Sequence, residues 1–200
     1  MSKLKDKPQR SATHFWFDPH LGHDAMRRFC PDTRGHFTSG DQMTEALVEA
    51  YRSVVHAGDT CIVGGDFMYR LEEKRMRKVY DALPGTKILV VGNHDGADTR
   101  ALPWASQHDI LYASIESTRL VICHYPMLSW MGSMKGALML YGHHHGRIPA
   151  NSQSMDCGVD VLGLAPVRLS TIKAHLAAAP PRVDPEGREF SNDIEGVPQP

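Results

Sequence analysis

The chain has 200 residues, of which 42% are hydrophobic, and a formal net charge of −1. That length fits one domain with a single substantial core. No apolar run approaches the ~20 residues of a membrane helix, and the near-neutral charge excludes a dedicated non-specific DNA binder, leaving room only for a local basic patch. The opening MSKLKDKPQR is basic but no apolar run follows it, so no secretory signal is expected. Four cysteines without a CxxC pair read as small buried thiols of a reducing compartment, which points to the cytoplasm. Twelve histidines are the compositional anomaly, and histidine is the commonest metal-binding side chain.

In chain order, ATHFWF (12–17) reads as a strand stopping at Asp18-Pro19. Met43, Ala46, Leu47, Ala50, Tyr51, Val54 and Val55 then recur at helical spacing, with Asp41 or Ser39 as N-cap and Gly58 as the stop. DTCIVGGD is a short buried strand running into glycines. A second helix is predicted over 70–83, with Met76, Val79, Tyr80 and Leu83 inward and EEKRMRK as its solvated face, closed by Pro84-Gly85. TKILVVGNHDG is another buried strand ending in a polar loop. Further strands are expected at 110–115, 118–123, 137–142 and in pieces of 155–170, and a last helix from Ser170. The Pro-, Gly- and charge-rich remainder reads as a disordered tail, giving one domain over 1–178 with a flexible 1–11 and a tail at 179–200.

The strands repeatedly end in loops of Asp, Asn, His and Gly: FDPHLGH (17–23), GGDF (64–67), VGNHDG (91–96), CHYP (123–126) and GHHHG (142–146). Ligands in α/β proteins bind outside the carboxyl ends of strands, so these loops should converge. Any one of them is an ordinary turn; five in succession, each with O or N donors, point to a metal site. Mixed Asp/His/Asn ligation without thiolate suits Mn, Fe, Co, Ni or Zn as divalent ions. Two such ions outweigh Asp18, Asp66 and a bridging hydroxide by one positive charge, which favours an anionic substrate such as a phosphate ester.

The ordered series D-x-H, G-D, G-N-H-D, H and G-H-x-H resembles the calcineurin-like metallophosphoesterase family, and MDCGVDVLGLAPVRLSTI resembles its small single-domain bacterial and phage members. The likeness runs from about residue 13 to 173. It implies an α/β fold of two facing mixed sheets flanked by helices, with metals at the strand C-terminal ends. By matching position, Asp18, His20 and His145 fall on a first metal and Asn93, His124 and His143 on a second, with Asp66 bridging. His94 corresponds to a catalytic histidine, and Asp95 is expected to orient it. Manganese is the favoured ion of the two sites. In an extended segment His143 and His145 would share a face, leaving His144 incidental.

The chain departs from the pattern at Phe17, where a small hydroxyl residue usually precedes the first Asp; the orientation of Asp18 then lacks one support. His23, Arg70 and Arg147 are candidates for phosphate contacts, though a loop hydrogen bond explains His23 at least as well and surface solvation explains the two arginines better. The resulting expectation is a dinuclear phosphoesterase in which a metal-bridging hydroxide attacks phosphorus and His94 protonates the leaving group. No insertion is large enough for a cap domain, so the site should be open and accept phosphodiesters, including cyclic nucleotides or nucleic-acid ends. Alternatives are a phosphomonoesterase, a non-catalytic metal-binding scaffold of the same fold, and a single-zinc amide hydrolase. No membrane partner is expected, and oligomeric state is not legible.

Overall fold

The computed structural model describes residues 11–185 and 187; the expected flexible start at 1–10, and residues 186 and 188–200 of the expected tail, lie outside the described residues. The elements are β1 (Thr13–Trp16), α1 (Met26–Phe29), α2 (Pro31–Arg34), α3 (Gly40–Val54), β2 (Thr60–Val63), α4 (Glu73–Asp81), β3 (Thr86–Val90), α5 (Ala97–Arg100), β4 (Ser106–His108), β5 (Ile110–Ile115), β6 (Thr118–Cys123), a 3-10 turn (Ser133–Lys135), β7 (Leu138–Tyr141), β8 (Ser154–Asp156), α6 (Val159–Leu162), β9 (Val167–Arg168) and α7 (Leu169–Ala178). They form an α/β architecture of two mixed sheets flanked by helices, with orders β4-β3-β2-β1-β9 and β5-β6-β7-β8. In the first, only β9 is antiparallel. In the second, only β5 is.

Side chains of a strand alternate between faces, and that period assigns the cores. Phe15, Ile62 and Val90 from the first sheet meet Leu120, Ile122, Leu140 and Met155 from the second, so the sheets face each other across a shared apolar layer. The intervening residues Trp16, Cys61, Val63 and Leu89 point the other way, onto Met43, Leu47 and Tyr51 of α3 and Met76 and Tyr80 of α4. Val121, Cys123, Met139 and Tyr141 cover the outer side of the second sheet together with Trp130. Both faces of the central strands are buried, which is why they read as continuous apolar runs.

The helix ends show what local chemistry adds. Ser39 caps α3, its Oγ accepting from Gln42 N at 3.1 Å. The helix stops at Val54 because Val55 is already extended, so the expected stop at Gly58 belongs to the following turn. α4 begins at Glu73 rather than 70, since Arg70 sits at φ 50°, outside any right-handed helix. β4 has the sequence SQH and no apolar period by which to recognise it.

All four cysteines are buried and unpaired by disulfide. Among the described residues no helix is long and apolar enough to cross a membrane. Residues 180–184, read from composition as part of the tail, run against the domain. Pro180 O accepts from Ser152 N at 2.8 Å, and the Arg182 guanidinium lies 4.4 Å from the centre of the Trp130 ring.

Candidate metal centre

β1, β2 and β3 run in parallel, so the loops after them emerge at one end of the first sheet; β6 and β7 do the same in the second. The first two loops stay zipped beyond their strands, with His20 N donating to Asp66 O at 2.9 Å and Leu21 N to Phe67 O at 3.0 Å. The described residues then gather two groups whose ligand atoms all lie within 4.8 Å of one another: Asp18, His20 and His145, and Asp66, His124 and His143. Asn93 joins the second, its Oδ1 3.0 Å from His124 Nε2. Every sequence-predicted metal ligand is therefore brought to this end of the molecule.

Asp66 lies between the groups. Its Oδ2 is 3.4 Å from His20 Nε2 and 3.4 Å from His124 Nε2, and its Oδ1 accepts from the His94 backbone N–H at 2.8 Å. Three of the histidines share one design, with Nδ1 engaged by a neighbour and Nε2 forward. His124 Nδ1 donates to Gly64 O at 3.0 Å, His145 Nδ1 to Asp160 Oδ2 at 2.8 Å, and His20 Nδ1 faces His23 Nδ1 at 3.3 Å. A histidine so tethered presents Nε2 as a lone pair, the arrangement metal ligands adopt. His20 Nε2 is buried and has no hydrogen-bond partner. An orphaned nitrogen beside a carboxylate is costly unless a cation completes it, so these residues fit a divalent metal.

The backbone is bent to make this possible. Asp18, His20, Asp66, His143 and His145 all have φ between 49° and 69°, a region that L-residues occupy at a cost and that Asp, Asn and His tolerate best. GHHHG is consequently a turn, with His144 N donating to Gly142 O at 2.8 Å, so the shared face that an extended segment would give does not apply; His143 and His145 reach different groups because two left-handed residues redirect the chain. Two glycines leave room for the carboxylates. A Cβ on Gly92 would lie 2.3 Å from Asp66 Oδ1, and one on Gly142 2.2 Å from Asp18 Oδ2. Asp18, which lacks a hydroxyl neighbour at Phe17, is instead held by the His143 N–H at 3.2 and 3.0 Å.

Electrostatically, burial raises Asp18 to about 7. Burial also pushes Asp66 upward, but the His124 hydrogen bond and the charges of His124 and His20 outweigh it and bring Asp66 to about 2. Burial disfavours a proton on His124, yet Asp66 and Asp18 lift it to about 9. His145 follows the same logic: burial is overcome by its bonds to Asp160 and Cys30, to about 10. Burial holds His20 well below its ordinary value. With no cation present, protons on two histidines offset the carboxylates, and a metal would displace them.

Asp95 departs from the expected steering of His94. Its oxygens accept from Asp66 N at 2.9 Å, Phe67 N at 2.9 Å and Gly92 N at 2.8 Å, so it clamps the GGDF and GNHD loops together. Burial lifts it to about 6, against those three bonds. His94 instead packs among rings, 5.4 Å from His20 and 5.2 Å from Tyr69. It is exposed and lines a cleft of about 1050 Å³ together with His20, Asp66 and His143.

Arg28, Arg70 and Arg147 also face this cleft, as do His23 and His144. His23 stacks on Tyr69 at 3.9 Å, and burial, reinforced by the neighbouring His94 and Arg34 side chains, lowers it to about 4. Sequence reasoning missed Arg28 and Tyr69 on the cleft, Asp160 behind His145, Arg34 on Asp160 at 2.8 Å, and Asp156, whose Oδ2 accepts from Gly146 N at 2.9 Å. The signal for Asp156 and Asp160 was available, since MDCGVD is one more Asp/Gly loop after a strand; Arg34 in CPDTRGHF reads as an ordinary surface residue.

No protein-family description matches the chain, and no curated protein matches it in sequence. Among solved structures, protein AQ665 from Aquifex aeolicus, described as of unknown function, superposes with a TM-score of 0.67 at 21% identity over 82% of this chain and 99% of that one. This likeness concerns the fold alone. YfcE, a phosphoesterase from E. coli, aligns with a TM-score of 0.38 at 16% identity over 72% of this chain and 76% of that one.

Proposed function

We propose that this chain is a metal-dependent phosphoesterase that holds two divalent ions, manganese by preference, and hydrolyses phosphodiesters. The observation that carries the reading is the place of Asp66 Oδ2, 3.4 Å from one histidine of each ligand group. A carboxylate shared in this way suits a pair of ions, with Asp18, His20 and His145 on one and Asn93, His124 and His143 on the other. When bound, two such ions supply Lewis acidity toward a phosphoryl group and a water ionised near neutral pH.

The chain's own residues do the rest. The His94 imidazole faces the cleft beside His20, where it can donate a proton to a leaving alkoxide. Arg28, Arg70 and Arg147 give the cleft a cationic rim that attracts an anionic ester. Phe29, 56% exposed on that rim, offers an apolar surface to the second group of a diester. Those three arginines also favour a second reading, a phosphomonoesterase, because they can hold a dianion.

Elemental analysis of the purified protein, coupled to assays on aryl phosphomonoesters, aryl phosphodiesters and 2′,3′- and 3′,5′-cyclic nucleotides with added Mn²⁺, separates these readings. Two ions per chain with diester turnover supports the proposal, and preference for monoesters moves it to the second reading. A single tightly held zinc, or two ions with no ester hydrolysis, overturns both.

A further inference from the structure

Arg34 is fully buried, with 0% of its surface exposed. It comes from α2, a helix with no residue in either ligand group. Its Nε donates to Asp160 Oδ1 at 2.8 Å and its Nη2 to Asp160 Oδ2 at 2.6 Å. The same guanidinium reaches back to the chain, Nη2 to Asp18 O at 2.7 Å and Nη1 to Pro19 O at 3.0 Å. Asp160 in turn accepts from His145 Nδ1 at 2.8 Å and from the Thr33 hydroxyl. One buried ion pair thus touches the loop that carries Asp18 and His20 and the ring of His145, the three members of the first ligand group.

We infer that Arg34 and Asp160 are positioning residues for the first metal alone, and that they decide whether the centre holds two ions or one. The inference rests on the dinuclear reading above. Three physical points support it. A carboxylate behind a ligating histidine fixes the ring and raises its basicity. The carbonyls that Arg34 grips belong to a stretch where Asp18 and His20 are held at φ 53° and 49°, and strained backbone persists only where its surroundings over-determine it. In the second group, His124 is tethered to the Gly64 carbonyl and Asp66 to the His94 amide, neither of which touches the pair; His143 meets the Asp18 loop only through its backbone N–H, and its ring has no bond to either residue of the pair.

The alternative use of this corner is as a cation site of its own, since Cys30, His145 and Asp160 also lie within ligand distance of one another. A guanidinium already covers both oxygens of Asp160, so a further cation there would meet a like charge at contact. The pair serves the neighbouring site instead. Neutralising either partner leaves a buried charge uncompensated, so Asp160→Asn is read beside a milder variant that keeps the pair intact.

The test compares full-length wild type with Asp160→Asn and Thr33→Val, the latter removing one bond to Asp160 from a half-buried position. Mn²⁺ binding is titrated, metal content is measured after gel filtration, and the electron paramagnetic resonance spectrum separates a coupled pair from an isolated ion. Wild type is expected to hold two coupled ions. Asp160→Asn should keep one ion at wild-type affinity, with the spectrum of an isolated Mn²⁺, and weaken the other roughly tenfold to a hundredfold. Thr33→Val should shift the same ion in the same direction by less. Two coupled ions of unchanged affinity in both variants would overturn the inference. So would parallel loss of both ions in Thr33→Val, whatever the fate of Asp160→Asn. A wild type that binds no pair of ions defeats the dinuclear reading itself, a result distinct from either.

Discussion

The backbone N–H of His94 donates to Asp66 Oδ1 at 2.8 Å, while its imidazole turns away to line the cleft. Backbone and side chain are thus separable, and mutation to alanine removes only the side chain. On the proposed phosphoesterase reading, His94→Ala should keep the metal content of wild type while losing turnover of esters with poor leaving groups by a factor of ~10²–10⁴. Aryl esters with good leaving groups, which need no proton, should suffer less. Equal losses on both classes would place His94 outside the acid role.

Gly92 and Gly96 make a matched pair. A Cβ at Gly92 would sit 2.3 Å from Asp66 Oδ1 and 2.4 Å from Asp66 N, whereas one at Gly96 meets nothing within 4 Å. Gly92→Ala must move the carboxylate or the loop beneath it, at a cost of roughly 1–3 kcal/mol or more. It should lower metal content as well as the thermal midpoint. Gly96→Ala should leave both within measurement scatter, and identical behaviour of the two would contradict the close approach.

Asp95→Ala should act on stability before it acts on chemistry. Three backbone N–H groups, those of Asp66, Phe67 and Gly92, lose their acceptor at once. Each buried donor left unpaired costs ~1–3 kcal/mol. The expected result is a markedly lower urea midpoint even for protein stripped of metal by chelator. A variant that unfolds like wild type but shifts the pH profile of catalysis would restore the steering of His94.

The sequence revealed what depends on short-range pattern and hid what depends on distant partners. The unbroken apolar runs of TKILVV and TRLVIC marked buried strands, and the helical spacing of Met43, Leu47 and Tyr51 predicted the inward side of α3; all three of these residues are sealed in the core. The Asp, His and Gly loops announced the site because ligation requires those donors in any fold. Asp95 was misjudged because adjacency to His94 in sequence says nothing of where a carboxylate turns; it found three amides across two loops. Arg34 was invisible for a related reason, since its meaning comes from Asp160, 126 residues away. The turn at GHHHG was not legible either, because positive φ at His143 and His145 is not a local preference that a run of histidines announces.

His14 offers a pH test remote from the two ligand groups. It sits on β1, 4% exposed, opposite Arg168 of β9, and its Nε2 lies 3.5 Å from Asp59 Oδ2. Burial lowers its pKa below 6.5; Asp59 resists that shift, while Arg168 and His56 reinforce it. The unfolded chain therefore binds a proton here before the folded one does. Stability from this group is complete above pH 6.5 and is lost as pH falls from there to the lowered folded value, below which it changes no further. His14→Gln, which cannot titrate, should flatten that part of the profile. Urea midpoints of chelator-treated wild type and variant, followed from about pH 7 to about pH 5, should converge as the solution is acidified; curves that stay parallel would mean that His14 takes up its proton equally in both states.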